Sequence, residues 1–159
     1  MNDALSQTKD SQTKDRELLS FRVGAQEFCV DIMIVREIRG WVQETPLPHA
    51  PSYVRGVVNL RGAVLSIIDL SERLGLGAAD PTTQHVIIVA QIGAQTVGLL
   101  VSAVSDILTI NDSMIQPTPA VAQGISSSYV QGLLTVENRM VSLLSTDKLV
   151  PTPELQAAA

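Results

Sequence analysis

Two stretches of this chain repeat each other, and that repeat constrains the fold more than any other feature. Gly24-Ala25-Gln26 opens a segment running through Val35, Glu37 and Ile38, and Gly93-Ala94-Gln95 opens one running through Val104, Asp106 and Ile107, at a constant offset of 69 residues. Ser52-Tyr53-Val54-Arg55-Gly56-Val57-Val58 is echoed by Ser128-Tyr129-Val130-Gln131-Gly132-Leu133-Leu134 at an offset of 76. The second copy therefore holds 7 more residues, where residues 116–128 make a longer connection. The Ser-Tyr-Val-x-Gly match goes beyond the alternation that any two Val-rich hairpins share. Two copies of one strand pattern imply two similar β units of about 60 to 70 residues each, a size at which a lone core is marginal. The economical arrangement is two small barrels packed together and sharing apolar surface at the seam.

Local patterns agree with a chain of short strands. Residues 18–23 and 27–31 flank Gly24-Ala25-Gln26, and residues 57–60 and 64–68 flank Arg61-Gly62. Residues 85–92 and 96–101 flank Gly93-Ala94-Gln95, and residues 133–136 and 140–144 flank Glu137-Asn138-Arg139. Each reads as a hairpin. Only residues 71–76 and 146–150 look helical, with Ser71 and Ser145 as N-caps and Gly75 or Gly77 ending the first helix. Residues 1–16 contain Ser-Gln-Thr-Lys-Asp twice in tandem and form a polar tail expected to be disordered, since it cannot bury enough apolar surface to offset its ordering entropy. Residues 17–150 form the folded domain, and residues 151–159 are expected to be a frayed end or a short docked helix.

Composition narrows the function. Hydrophobic residues make up 45% of the 159, but aromatics only 3%, so the core is built from Val, Ile and Leu, which suits strands. A net charge of −5 without any Lys/Arg cluster argues against a nucleic-acid partner or an anionic membrane surface. The single cysteine, Cys29, excludes an internal disulfide and points to a reducing compartment. The polar N-terminus has no signal-peptide pattern, and the longest apolar runs are too short to span a bilayer, so a cytoplasmic protein is expected.

Catalytic constellations are scarce. The two histidines, His49 in a proline-rich loop and His85 at the start of an apparent strand, have no paired spacing for a metal. Cys29, within Phe28-Cys29-Val30, reads as a small buried core residue before it reads as a nucleophile. Gly75-Leu76-Gly77 lacks the third glycine and the preceding strand of a dinucleotide fingerprint, and no Walker-type Gly-Lys-Ser/Thr occurs. Neither metal nor cofactor is expected. Glu37 and Asp69 stand out among the carboxylates. Glu37 can be a solvated strand end or a contact residue, and Asp69 a turn or cap acceptor.

Residues 57–70 are the most informative segment. Two apolar strands are joined by a polar turn in which Asn59 and Gly62 suit turn geometry. Arg61 is then presented near a hairpin tip, either as an ordinary solvated arginine or as a protein-binding guanidinium. The counterpart turn carries Glu137-Asn138 instead, so the arginine belongs to one copy only.

Asn59-Leu60-Arg61-Gly62 followed by Ile67-Ile68-Asp69-Leu70 resembles the hallmark of CheW-like domains. Asp31-Ile32 with Val35-Arg36-Glu37-Ile38-Arg39-Gly40, and Pro48 with Val54-Arg55-Gly56-Val57, resemble the same family, as do Val97-Gly98-Leu99-Leu100-Val101 and Val104-Ser105-Asp106-Ile107-Leu108. The resemblance covers roughly residues 17–150. Ser66 departs from it, standing where the family often has proline. It implies a mostly β fold of two five-stranded SH3-like barrels with short helices. It implies a non-enzymatic adaptor that couples chemoreceptor cytoplasmic tips to the regulatory domain of a CheA-type histidine kinase, in arrays at the inner membrane. A chain of this length is expected to be neither the kinase nor a receiver-fused relative. Carried over residue by residue, Val35, Glu37 and Arg61 are the leading partner-contact residues, with Gly98 and Ile107 on the second barrel. Open alternatives are a scaffold for another chemosensory pathway, such as twitching motility or second-messenger control, a small-molecule-binding barrel, and a small β-barrel enzyme with a convergent site.

Overall fold

The computed structural model describes residues 15–118 and 129–150. The expectations for residues 1–14 and 151–159, and for most of the 116–128 connection, lie outside the described residues. Asp15 and Arg16, expected in the tail, instead open the first strand.

Ten strands follow in chain order among the described residues: β1 (Asp15–Val23), β2 (Gln26–Asp31), β3 (Val35–Gly40), β4 (Val54–Leu60), β5 (Ala63–Asp69), β6 (Val86–Ile92), β7 (Gln95–Val101), β8 (Ala103–Asn111), β9 (Val130–Val136) and β10 (Arg139–Leu144). The four expected hairpins all form, at turns supplied by the expected residues. The helices are shorter than their patterns suggest. One α-turn, α1 (Leu70–Arg73), is capped not by Ser71 but by Asp69, whose carboxylate accepts the Glu72 N–H at 3.2 Å. It ends where Gly75 takes a φ of 78°, a conformation glycine reaches without strain. Residues 146–148 form a single 3-10 turn, and Ser145 makes no side-chain cap hydrogen bond there.

The strands build two five-stranded, barrel-like sheets, in orders β8-β1-β2-β10-β9 and β3-β6-β7-β5-β4. We call them barrel A and barrel B. The duplication is real down to register. Ser66 faces Val97 across a parallel pair in barrel B, and Ser142 faces Phe28 in the same way in barrel A. Both β8 on β1 and β3 on β6 carry a bulge at the same relative place. Neither barrel is built from consecutive sequence, however. The β1–β2 hairpin of the first copy sits with β8, β9 and β10 of the second, while β6–β7 completes β3, β4 and β5. Each barrel thus takes two strands from one copy and three from the other.

This interlocking explains the burial pattern. Along β7, Val97, Leu99 and Val101 join a cluster that also contains Phe21, Phe28 and Val30 of barrel A, and this is the shared seam. Leu100, pointing the other way, fills the inside of barrel B with Leu65, Ile67, Ile87 and Val89. Leu18, Cys29, Leu134, Val141 and Leu143 fill barrel A. Central strands are therefore buried on both faces, which is why they read as continuous apolar runs rather than alternating ones.

Candidate functional site

The β4–β5 turn is a two-residue hairpin in which Arg61 and Gly62 have φ of 51° and 87°. Two positive φ values are what a type I′ turn needs to match the strands' twist. Asn59 braces it by accepting the Gly62 N–H at 3.0 Å. Gly62 adopts its φ freely, whereas Arg61 is a non-glycine residue in the left-handed region. The counterpart turn has the same form, with Glu137 at φ 50° and Asn138 at 67°. What differs between the copies is the charge at its first position.

Arg61 reaches back to β3. Its guanidinium forms a two-pronged ion pair with Glu37, one prong a short hydrogen bond to Oε1 and the other a 3.5 Å contact to Oε2. Arg39 lies 3.5 Å from the same Oε2. The hydrogen bond from Arg61 is the first cause holding the Glu37 carboxyl below its usual range, and it raises the Arg61 guanidinium in turn. Glu37 therefore holds its charge to lower pH than an unpaired glutamate does. Because β3 and the β4–β5 turn lie at opposite ends of their sheet order, this pair bridges the opening of barrel B. It does so in the open, with the Arg61 side chain 68% exposed. Barrel A has Asp106 and Glu137 at the corresponding positions, two acids that cannot pair. There Arg139 instead serves Glu137 at 3.1 Å and Glu27 at 2.9 Å.

The remaining sequence-derived contact residues fall elsewhere. Val35 begins β3, pairs with Ala90 and packs half-buried against the seam cluster. Ile107 is exposed on edge strand β8 of barrel A, paired with Leu19. Its counterpart, exposed Ile38, is paired with Ile88. Since Leu19, Ala90 and Ile88 all belong to the seam cluster, Val35, Ile38 and Ile107 lie on the seam-facing side of their edge strands. Gly98 is buried inside barrel B: a Cβ there would stand 2.7 Å from both Ile67 Cδ1 and Ile87 Cγ2. Its close approach is to its own barrel. Cys29, at the matching place in barrel A, is fully buried, and desolvation pushes its thiol up to about 12. His85 is a turn residue whose Nδ1 accepts the Thr82 N–H at 3.0 Å.

Of a second charged cluster, the sequence singles out only Asp69. Glu44 and Asp69 are both buried, and Arg55 lies between them. Arg55 Nε donates to Glu44 Oε2 at 2.9 Å, and one terminal nitrogen stands 3.6 Å from Asp69 Oδ2. Trp41 Nε1 donates to the same Glu44 oxygen at 2.9 Å, and the Ala79 N–H to Asp69 Oδ2 at 2.9 Å. The cluster ties the segments on either side of β4 and α1 to the hairpin that bears Arg61. Among the described residues, no group of three or more His, Cys, Asp or Glu is placed to hold a metal ion, and no helix is long and apolar enough to cross a membrane.

Two interlocked barrels, one bridged by an exposed ion pair and both rimmed by exposed aliphatic residues, define a duplicated β-barrel scaffold. The chain belongs to the CheW-like domain family, whose model matches residues 17–154. It is 60% identical over 143 residues to the chemotaxis protein CheW of Rhizobium meliloti, covering 90% of this chain and 92% of that one. It is 28% identical over 147 residues to the protein FrzA of Myxococcus xanthus, covering 91% of each. Among solved structures, the scaffolding protein TtCheW of Thermoanaerobacter tengcongensis superposes with a TM-score of 0.78 at 28% identity, over 87% of this chain and 89% of that one. These likenesses place the chain among chemotaxis scaffold and adaptor proteins.

Proposed function

We propose that this chain couples the cytoplasmic tips of chemoreceptors to the regulatory domain of a CheA-type histidine kinase, as a cytoplasmic protein recruited to receptor arrays at the inner membrane. The observation that carries this reading is the Glu37–Arg61 pair. It is a charged, geometrically fixed feature on an exposed barrel rim, and the duplicate barrel folds to the same register without it. A two-pronged guanidinium–carboxylate pair orients both groups and can exchange partners with a charged surface, giving selectivity and register. Val35 and Ile107 supply apolar area beside the seam, and Gly98 acts through the packing beneath the rim. The adaptor performs no turnover: it holds two partners in one arrangement and biases the population of kinase states.

The test is Arg61→Glu, assayed by co-purification with a receptor cytoplasmic fragment and the kinase, and by kinase activity. Exposed on a turn, the substitution leaves the fold intact, puts like charges beside Glu37 and weakens assembly. A folded variant that assembles and activates like the parent refutes the reading.

A further inference from the structure

The two tyrosines of the repeated Ser-Tyr-Val-x-Gly motif meet at one cation. Tyr53 and Tyr129 hold equivalent positions, and each carbonyl accepts an equivalent hydrogen bond, from Asp69 N–H and Ser145 N–H respectively, at 2.7 Å in both cases. The Arg73 guanidinium carbon lies 4.0 Å from the centroid of the Tyr53 ring and 5.0 Å from that of Tyr129. One terminal nitrogen donates to the Lys148 carbonyl at 2.7 Å. Its Nε is buried without a hydrogen-bond partner among the described residues, so the aromatic faces carry much of the group's environment.

Placement gives this contact its meaning. Arg73 ends α1, which follows β5 of barrel B, and Lys148 ends the 3-10 turn that follows β10 of barrel A. Tyr53 leads into β4 of barrel B, and Tyr129 into β9 of barrel A. Arg73 therefore joins equivalent elements of the two barrels, close to the axis relating the copies. Only one side chain can occupy such a place. The second copy has Leu149 at the position matching Arg73, and it is fully buried. The rest of the seam is apolar, Phe21 and Phe28 included, and burial of that kind is non-directional. A planar guanidinium held against two rings and one carbonyl is directional.

We propose that Arg73 is a positioning residue that fixes the angle between the two barrels, and thereby the alignment of the Glu37–Arg61 rim on barrel B with the Ile107 rim on barrel A. The second half rests on the adaptor reading above; the first does not.

The test uses the full chain carrying nitroxide labels at Val64→Cys and Met140→Cys, exposed and equivalent positions on the two β hairpins. Native Cys29 is buried and stays unlabelled. Electron–electron distance measurements should give a narrow distribution for the parent. It should broaden or shift in Arg73→Met, and likewise in Tyr129→Leu, which removes one ring without touching the cation. A merely structural role would lower the melting temperature while leaving the distance in the folded population unchanged, and that result overturns the proposal. Calorimetric titration with the receptor fragment and the kinase regulatory domain supplies the second readout. Each alone should bind within about threefold of the parent, while the affinity for one in the presence of the other falls about tenfold. Retained coupling despite a broadened distribution overturns the link to alignment. A parent that binds neither partner sinks the adaptor reading and leaves the distance result to decide the role of Arg73.

Discussion

Replacing Arg55 with Met removes the guanidinium that lies between two buried carboxylates, Glu44 and Asp69. Glu44 would lose its 2.9 Å ion pair and keep only the Trp41 N–H on the same oxygen. Asp69 is better protected, because the Glu72 and Ala79 N–H groups bond its two oxygens. The cost is therefore concentrated on Glu44, which is 5% exposed. Breaking a buried pair from one side typically costs about 3–5 kcal/mol, since it strands an uncompensated charge. For a domain of this size that is a fall of roughly 10 °C in melting temperature. Adding Glu44→Gln to Arg55→Met removes the charge, keeps an acceptor for Trp41 and should recover at least half of the loss. Thermal melts of the parent, single and double variants at neutral pH decide the matter. A single variant that melts within about 2 °C of the parent, against the roughly 10 °C expected, refutes the argument that Arg55 compensates buried charge.

Two further substitutions test the packing that supports the rim. Gly98→Ala drives a methyl group to 2.7 Å from the stiff Ile87 Cγ2 and from Ile67 Cδ1, and should cost about 1–3 kcal/mol by overpacking; a melting temperature equal to the parent's contradicts that. Val30→Asp places a carboxylate at a fully buried seam position and should destabilise by several kcal/mol, read as a large loss in the same melt; unchanged melting contradicts the seam assignment.

The hairpins were legible because turns have local chemistry: Gly24, Gly62 and Gly93 all take positive φ. Strands β3 and β8 carry no comparable signal. Each lies at a sheet edge with much of its length exposed, so charged residues interrupt its apolar pattern. The duplication was visible and its register held, yet the exchange of hairpins between the copies was not. The reason is a symmetry of the problem: β1–β2 and β6–β7 present equivalent pairing edges, so either could complete either barrel with the same hydrogen bonds. Only the path of the connections decides, and no residue pattern encodes it. The site was legible in pieces. Glu37 and Arg61 each stand out, but they are 24 residues apart, and only barrel closure makes them partners. Of the Arg55 cluster only Asp69 stood out, and of the Arg73 contact only the repeated Tyr53 and Tyr129, because the members come from segments that meet only in the fold.

The duplication also separates what folding needs from what the surface does. Barrels A and B share strand order, parallel pair, bulge and a positive-φ hairpin turn. Any residue demanded by that architecture should recur at the matching place, as Tyr53 and Tyr129 do. Arg61 does not recur: Glu137 occupies the same turn position at nearly the same φ, opposite Asp106 rather than a cation. A barrel of this topology thus forms with two acids at its rim, and the Glu37–Arg61 pair is not a requirement of closure. Exposed pairs of this kind add little to stability in any case. The turn backbone at Arg61, matched at Glu137, is architecture, whereas the charge it carries is dispensable for the barrel and is left free for the docking role we propose for it.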